Sequence, residues 1–406
     1  MLKRVAIKDL RPGMYLHELC GSWAGHPYWK SAFTLRDAQD IARIADAGIR
    51  EVWIDAAKGL NSGAAGNMQQ GVPAAGRAQA EAEAATPPHR AAPRLALADE
   101  LSRATRICDK AKEAVTAMFQ EARMGKAVAA EDALPLVEEI SQSVMRNPEA
   151  LISLARLKTA DNYTYMHSVA VCGLMISLAR VLELADHDVR QAGLAGLLHD
   201  VGKMAIPLEV LNKPGKLTDA EFTLVKNHPL EGHRMLAQGG SAPPVALDVV
   251  LHHHEKVDGS GYPDRLSGDA ISIFSRMGAV CDVYDAITSD RPYKKGWDPA
   301  ESVRKMAEWS NGHFDETVFR AFVKTIGIYP AGTLVRLKSA RLAVVVEQSA
   351  ASLLTPRVKV CMCAKSGLRL PPEVLELAAP GCADRIETRE NPADWGIADS
   401  NELWRG

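Results

Sequence analysis

The chain has 406 residues, long for one hydrophobic core and enough for two or three domains. Its 48 basic and 50 acidic side chains leave a formal charge of -2. That balance excludes a protein-wide field drawing the chain onto DNA or an anionic membrane, so any phosphate binding is local.

The N-terminal stretch MLKRVAIKDL carries two basic residues with no apolar region behind them. No run approaches the roughly 18 apolar residues of a membrane-spanning helix, so a cytoplasmic protein without membrane insertion is expected. Residues 1–58 read as a small α+β domain. VAIKDLRPGMYL gives two apolar runs about a Pro-Gly turn, and Thr34 and Asp37 are placed like a capping box ahead of Ile41, Ile44 and Ala45. Gly48 stops that helix and IREVWID follows as a strand. Residues 59–94 contain no aromatic, one Leu (Leu60) and one Val (Val72), too little apolar surface to offset the entropy of ordering, which predicts a flexible linker.

From Leu95 the pattern is helical. Leu97, Leu101, Ala104, Cys108, Ala111, Val115 and Met118 alternate in steps of four and three. This period suits a dimer or relay helix, but the small residues in the series favour packing within one domain. Residues 95–330 are expected to be mostly helical. TLVRLKSARLAVVVEQ and PRVKVCMCA then predict three strands of a small β appendage in residues 331–406, which ends in a polar, proline-containing tail that says little. Seven cysteines, odd in number and mostly in apolar contexts such as Cys172 and Cys281, fit reduced, packed thiols, and Cys361 and Cys363 alternate like one face of a strand.

The helical region gathers the chemistry. In order it holds His167 in YMHSVAV, His199 and Asp200 in LLHDVGK, His228 in KNHPLEG, His252, His253 and His254 in VVLHHHEKVDGSGYP, and Asp282 in AVCDVYDAI. Each lies on or beside an apolar segment. So many imidazoles and carboxylates do not enter one core unless something pairs them. Imidazole with carboxylate suits Fe, Mn, Co, Ni or Zn, and the lack of clustered cysteines argues against a structural zinc.

The ordered set H…HDxGK…HPxxG…HHExxDGxGYP…DxYDAxxxxRPYK, from His167 to Lys294, resembles the HD-GYP family, a subgroup of the HD-superfamily phosphohydrolases. LNKPGKLT and HFDE also resemble that family, and the N-terminal domain is similar to a small domain of unknown function often found ahead of it. The resemblance implies a multidomain, mainly α protein built on an all-α HD bundle. It also implies hydrolysis of the bacterial messenger cyclic di-GMP to pGpG, in some members on to GMP, by a bridging hydroxide on a dinuclear metal site. Carried over by position, one divalent ion falls to His167, His199 and Asp282 and another to His228, His253 and His254, with Asp200 bridging. Iron or manganese is expected before nickel or cobalt.

Lys203, three residues past Asp200, would face the scissile phosphate if the helix continues, and together with Asp200 forms the expected catalytic pair. Arg291 and Lys294 resemble phosphate clamps. Asp285, at i+3 from Asp282, would orient substrate or ligands. The DGSGYP loop reads as a tight turn or a substrate contact, and His252 as a supporting or surface residue. Members with three metals resemble one another in having a glutamate four residues before the first histidine; Tyr163 stands there, which implies two metals. Diguanylate cyclase domains and a second copy of the chain are the protein partners expected. Two rivals stand beside this reading: an HD phosphohydrolase for another nucleotide, such as cyclic GMP-AMP, and a non-catalytic cyclic-dinucleotide-binding or protein-interaction module.

Overall fold

The computed structural model describes residues 2–19, 33–35, 41, 51–55, 97–156, 163–289, 296–349, 352–397 and 403. The chain divides into two compact units, Met1–Pro87 and Pro88–Gly406.

In the first unit, strands β1 (Leu2–Ala6), β2 (Tyr15–Leu19), β3 (Phe33–Thr34) and β4 (Glu51–Asp55) form an antiparallel sheet in the order β1-β4-β2-β3. β1 and β4 run in register from Leu2 opposite Asp55 to Ala6 opposite Glu51. Val5, Val52 and Ile54 project from these strands into a core shared with Leu10, Met14 and Leu35. Gly13, at φ 91, makes the turn after Pro12 that no side-chain-bearing residue makes cheaply. Apart from Ile41, which is helical, the helix expected between Thr34 and Gly48 lies outside the described residues, as does the linker 59–94.

The second unit is a helical bundle with a sheet. Its helices are α1 (Leu97–Arg123), α2 (Leu134–Arg146), α3 (Pro148–Arg156), α4 (Tyr163–Val181), α5 (Asp186–Leu198), α6 (Leu208–Leu211) and α7 (Asp219–Val225). They continue as α8 (His228–Gly239), α9 (Pro244–His252), α10 (Ile273–Thr288), α11 (Pro299–His313) and α12 (Glu316–Ile326). The 3.5-residue seam of α1 is spent inside the bundle, where Ala104, Cys108, Ala111, Val115 and Phe119 are buried. Glu100, also in α1, is fully buried and accepts hydrogen bonds from Arg146 Nε at 2.7 Å and Ser143 Oγ at 2.9 Å, which ties α1 to α2.

One expectation needs correction: α4 is long and apolar enough, by length and composition, to cross a bilayer. Its apolarity has another cause. α4 is the central helix, with Val169, Cys172, Met175 and Ile176 all buried, so neighbours rather than lipid cover its faces. α5 lies against it at Gly193 and Gly196, where an added Cβ would come within 2.8 Å of Ile176 and 3.0 Å of the Val171 carbonyl.

Among the described residues the appendage has five strands, not three. β5 (Leu334–Leu337), β6 (Arg341–Glu347), β7 (Arg357–Cys363), β8 (Arg369–Glu376) and β9 (Ile386–Arg389) form an antiparallel sheet in the order β8-β7-β6-β5-β9. The two that the sequence hides are the edges. They are mostly exposed, and β8 carries Pro371 and Pro372, which an edge tolerates because one side of its backbone needs no ladder partner. In β7, Val358, Val360 and Met362 point into the core and Cys361 and Cys363 share the other face, as their alternation predicted.

Candidate metal centre

Five segments deliver the seven expected ligands. His167 lies in the first turns of α4; His199 and Asp200 follow the last residue of α5; His228 opens α8; His253 and His254 follow α9; and Asp282 sits in α10. Glycines bring these segments together. Gly202 stands in the 3-10 turn Val201–Ala205 just after Asp200, where a Cβ would lie 1.9 Å from the His228 carbonyl oxygen and 2.4 Å from the Gly232 nitrogen. Gly232 returns the contact. The glycines of HDVGK and HPLEG are thus two sides of one backbone approach that sets Asp200 beside His228.

The helix does not continue through Lys203, as the sequence reading required; the tighter turn brings its ammonium back to donate to Asp200 Oδ2. Arg123, the last residue of α1, fixes that turn by donating to the Ile206 carbonyl at 2.9 Å and lying 3.5 Å from that of Lys203.

The geometry brings the candidate ligands into three overlapping groups, the two expected ones and a third of His199, Asp200 and His253 that joins them. His167, His199 and Asp282 place ligand atoms within 4.8 Å of one another, and so do His228, His253 and His254. Asp200 spans them. Its Oδ2 is 3.4 Å from His167 Nε2 and 3.3 Å from His199 Nε2, while its Oδ1 is 3.3 Å from His228 Nε2 and 3.9 Å from His253 Nε2. His167 Nε2 is also 2.9 Å from Asp282 Oδ1.

Proton positions follow from the other ring nitrogens. Nδ1 of His228 donates to the Val225 carbonyl at 2.8 Å, and Nδ1 of His253 donates to that of Val249 at 3.0 Å. A neutral imidazole has one N–H, so the Nε2 atoms of this pair, 3.3 Å apart, meet lone pair to lone pair. The buried Asp200 Oδ1, which has no hydrogen-bond partner among the described residues, faces both of them. Three acceptors converging without a proton suit a cation, so the residues present fit a metal ion.

Electrostatics agree. Burial pushes His228 down to about 3 and His254 to about 4, and holds His253 well below the imidazole range. His167 goes the other way, to about 10, because hydrogen bonds to Asp200, Asp282 and Asp285 outweigh burial, the largest single influence on it. Asp200 and Asp282 stay well below the usual carboxylate range despite burial, held by Lys203 and His199 in one case and by His167 in the other. At His228, His253 and His254, neutral imidazoles beside an ionised carboxylate are the state that divalent ions bind, whereas His167 would release its proton as an ion took its place.

Asp285 is buried with its Oδ2 2.5 Å from His167 Nδ1, which suits the orienting of a ligand, one of its two expected tasks. Arg291 and Lys294 lie outside the described residues. Tyr163 is the first residue of α4, and its side chain is not among those described. His252 turns away from the centre and is clamped between Asp248 at 2.8 Å and Asp264 at 3.0 Å. The DGSGYP loop packs on the centre: an added Cβ at Gly261 would fall 2.5 Å from Glu255 Cα, and the Tyr262 ring stacks on His254 with centroids 4.8 Å apart. The sequence reading missed Arg123, Asp248 and the Tyr262 stack, because each acts through a contact that no local spacing reveals.

A histidine–aspartate pair at the end of a core helix, closed upon by imidazoles from three other segments, defines an HD-domain hydrolase site. Profile comparison agrees: residues 138–318 match the HD domain, and residues 2–133 match a domain of unknown function, DUF3391. The chain is 54% identical to a cyclic di-GMP phosphodiesterase of Pseudomonas aeruginosa over all of its own length and 96% of that protein's. It is 40% identical to a cyclic di-GMP phosphodiesterase response regulator of Xanthomonas campestris over 40% of this chain and 43% of the other. It is also 36% identical to a 3'3'-cGAMP-specific phosphodiesterase of Vibrio cholerae over 43% of this chain and 42% of the other. The chain belongs to the HD-GYP family of phosphodiesterases.

Proposed function

We propose that this protein hydrolyses cyclic di-GMP to linear pGpG at a site holding two divalent transition-metal ions. The observation that carries the reading is Asp200, whose two oxygens face two separate histidine groups. Similarity along the whole chain to a cyclic di-GMP phosphodiesterase supports the substrate. His167, His199 and Asp282 would hold one ion and His228, His253 and His254 the other. The same ligands accept iron, manganese, nickel or cobalt, with iron and manganese favoured by the family resemblance. When bound, such a pair lowers the pKa of a water and neutralises charge on phosphoryl oxygens.

The protein's own groups supply the rest. Lys203, His254 and Asp282 are the most exposed members of the cluster, at 22%, 23% and 11%, so the phosphodiester enters on their side. There the Lys203 ammonium, already donating to Asp200, is placed to meet developing negative charge. Asp285 holds the His167 ring in the orientation that turns Nε2 inward. Arg291 and Lys294 clamp the phosphates on the strength of the RPYK motif. Tyr163 in place of a third-metal glutamate goes with pGpG as the accumulating product. An intracellular messenger as substrate entails a cytoplasmic protein; association with diguanylate cyclase domains or a second copy rests on the resemblance alone.

The test is elemental analysis of protein purified without oxygen, coupled to an assay of pGpG release. Two ions per chain and steady pGpG formation are expected, and D200A should lose both. Wild-type protein that binds two ions yet releases no pGpG would overturn the reading. The 3'3'-cGAMP-specific relative gives a second reading, cyclic GMP-AMP as substrate, favoured if that dinucleotide turns over faster than cyclic di-GMP.

A further inference from the structure

α6 and α7, between the HD and HP motifs, bury none of their residues. α7 nevertheless has a fixed start, with a capping box between Thr218 and Glu221 and an ion pair from Lys213 to Glu221 at 2.7 Å. It presents Phe222 with 49% of its surface exposed. One turn on, the ammonium of half-buried Lys226 lies 4.7 Å from the centre of the Phe222 ring. A phenylalanine and a lysine four apart on a helix are an ordinary surface pair. This ammonium, however, also lies 5.3 Å from the Tyr262 ring, which stacks on the metal-ligand candidate His254. It has no carboxylate within salt-bridge distance among the described residues. Three contacts therefore lead from the metal cluster outward to an exposed aromatic face: His254 to Tyr262, Tyr262 to Lys226, and Lys226 to Phe222.

We propose that Phe222 and Lys226 form a subsite for a purine base of the substrate. The Phe222 ring stacks on the base, and the Lys226 side chain swings off the ring face that its ammonium covers to donate to the acceptor edge, O6 and N7, that guanine presents and adenine presents only in part. A phosphate fits this place less well, because a phenyl face offers a phosphate nothing and the cationic group in direct contact with the candidate metal ligands is Lys203, through Asp200. The proposal rests on the cyclic dinucleotide reading given above.

The test uses the full chain loaded with metal and three substrates: cyclic di-GMP, cyclic di-AMP and the small diester bis(p-nitrophenyl) phosphate. F222A should raise KM for cyclic di-GMP about tenfold, with F222W restoring it, while hydrolysis of the small diester stays within about twofold. K226M should cut the preference for the guanine over the adenine dinucleotide by about tenfold. Equal losses on cyclic di-GMP and the small diester would mean damage to the metal centre, and equal losses by K226M on both dinucleotides would mean general charge screening; either overturns the subsite. Wild-type turnover of cyclic di-GMP with variants indistinguishable from it overturns the subsite alone. Wild-type cleavage of the small diester but of no cyclic dinucleotide overturns the substrate reading itself.

Discussion

Asp285 shows how much one buried carboxylate can set. It accepts the Nδ1 proton of His167 and thereby presents Nε2 to the cluster. Asn in its place keeps the shape but not the charge, so D285N should weaken metal affinity roughly 10- to 100-fold, read by competition with a chelator, while the fold persists. Gly202 acts by the absence of a side chain. Ala there has to push the HDVGK turn off α8, and G202A should lose metal and turnover while far-UV dichroism still reports the bundle; full metal content in G202A would refute that account of the glycine pair. At this scale the seven candidate ligands were legible, because imidazoles and carboxylates stand out in apolar segments. The glycines were visible as letters of a motif, but their purpose was not, since each one's partner lies about thirty residues away in the chain.

Elements were legible where they bury a face. The α1 seam and the strands β5 to β7 carry periodic apolar residues, whereas β8 and β9 are mostly exposed and add only Leu370, Leu375 and Ile386 to the core, too few and too irregular to leave a hydrophobic signature. α7 is a third kind of element, held by its cap rather than by burial. Its Glu221 carboxyl is lowered from 4.5 to about 2, chiefly by the Lys213 ion pair and then by the Thr218 amide. A folded pKa below the unfolded value means that this anchoring is complete above about 4.5 and fades as the pH falls through about 2. Protection of the α7 amides, measured as exchange relative to the unstructured rate at each pH, should therefore fall over that range in the native chain, and E221Q, already poorly protected at neutral pH, should show no such transition.

On the scale of the whole chain, the DUF3391 match ends at residue 133, yet the compact units part between Pro87 and Pro88. α1 explains the difference, since its matched sequence packs into the bundle and its last residue, Arg123, holds the turn that carries Lys203. A chain cut to Pro88–Gly406 should keep its fold and metal, whereas one starting at Leu134 uncovers the residues around Ala104, Val115 and Phe119 and should precipitate or bind hydrophobic dyes. Equal solubility of the two would show that α1 is not part of this core. The bundle and its candidate ligands were readable from sequence at this scale; for α1 the 3.5-residue period reads the same in a dimer seam as in an internal one, and only the small residues of the series favoured packing within one domain. The opposed ring nitrogens of His228 and His253 carry a last consequence. Two electron pairs pressed together inside a protein favour opening until a cation intervenes, so a bound metal would act here as a folding ligand as well as a reagent. In a cell starved of that metal, the molecule would unfold more often, fall to proteases sooner and leave its messenger standing.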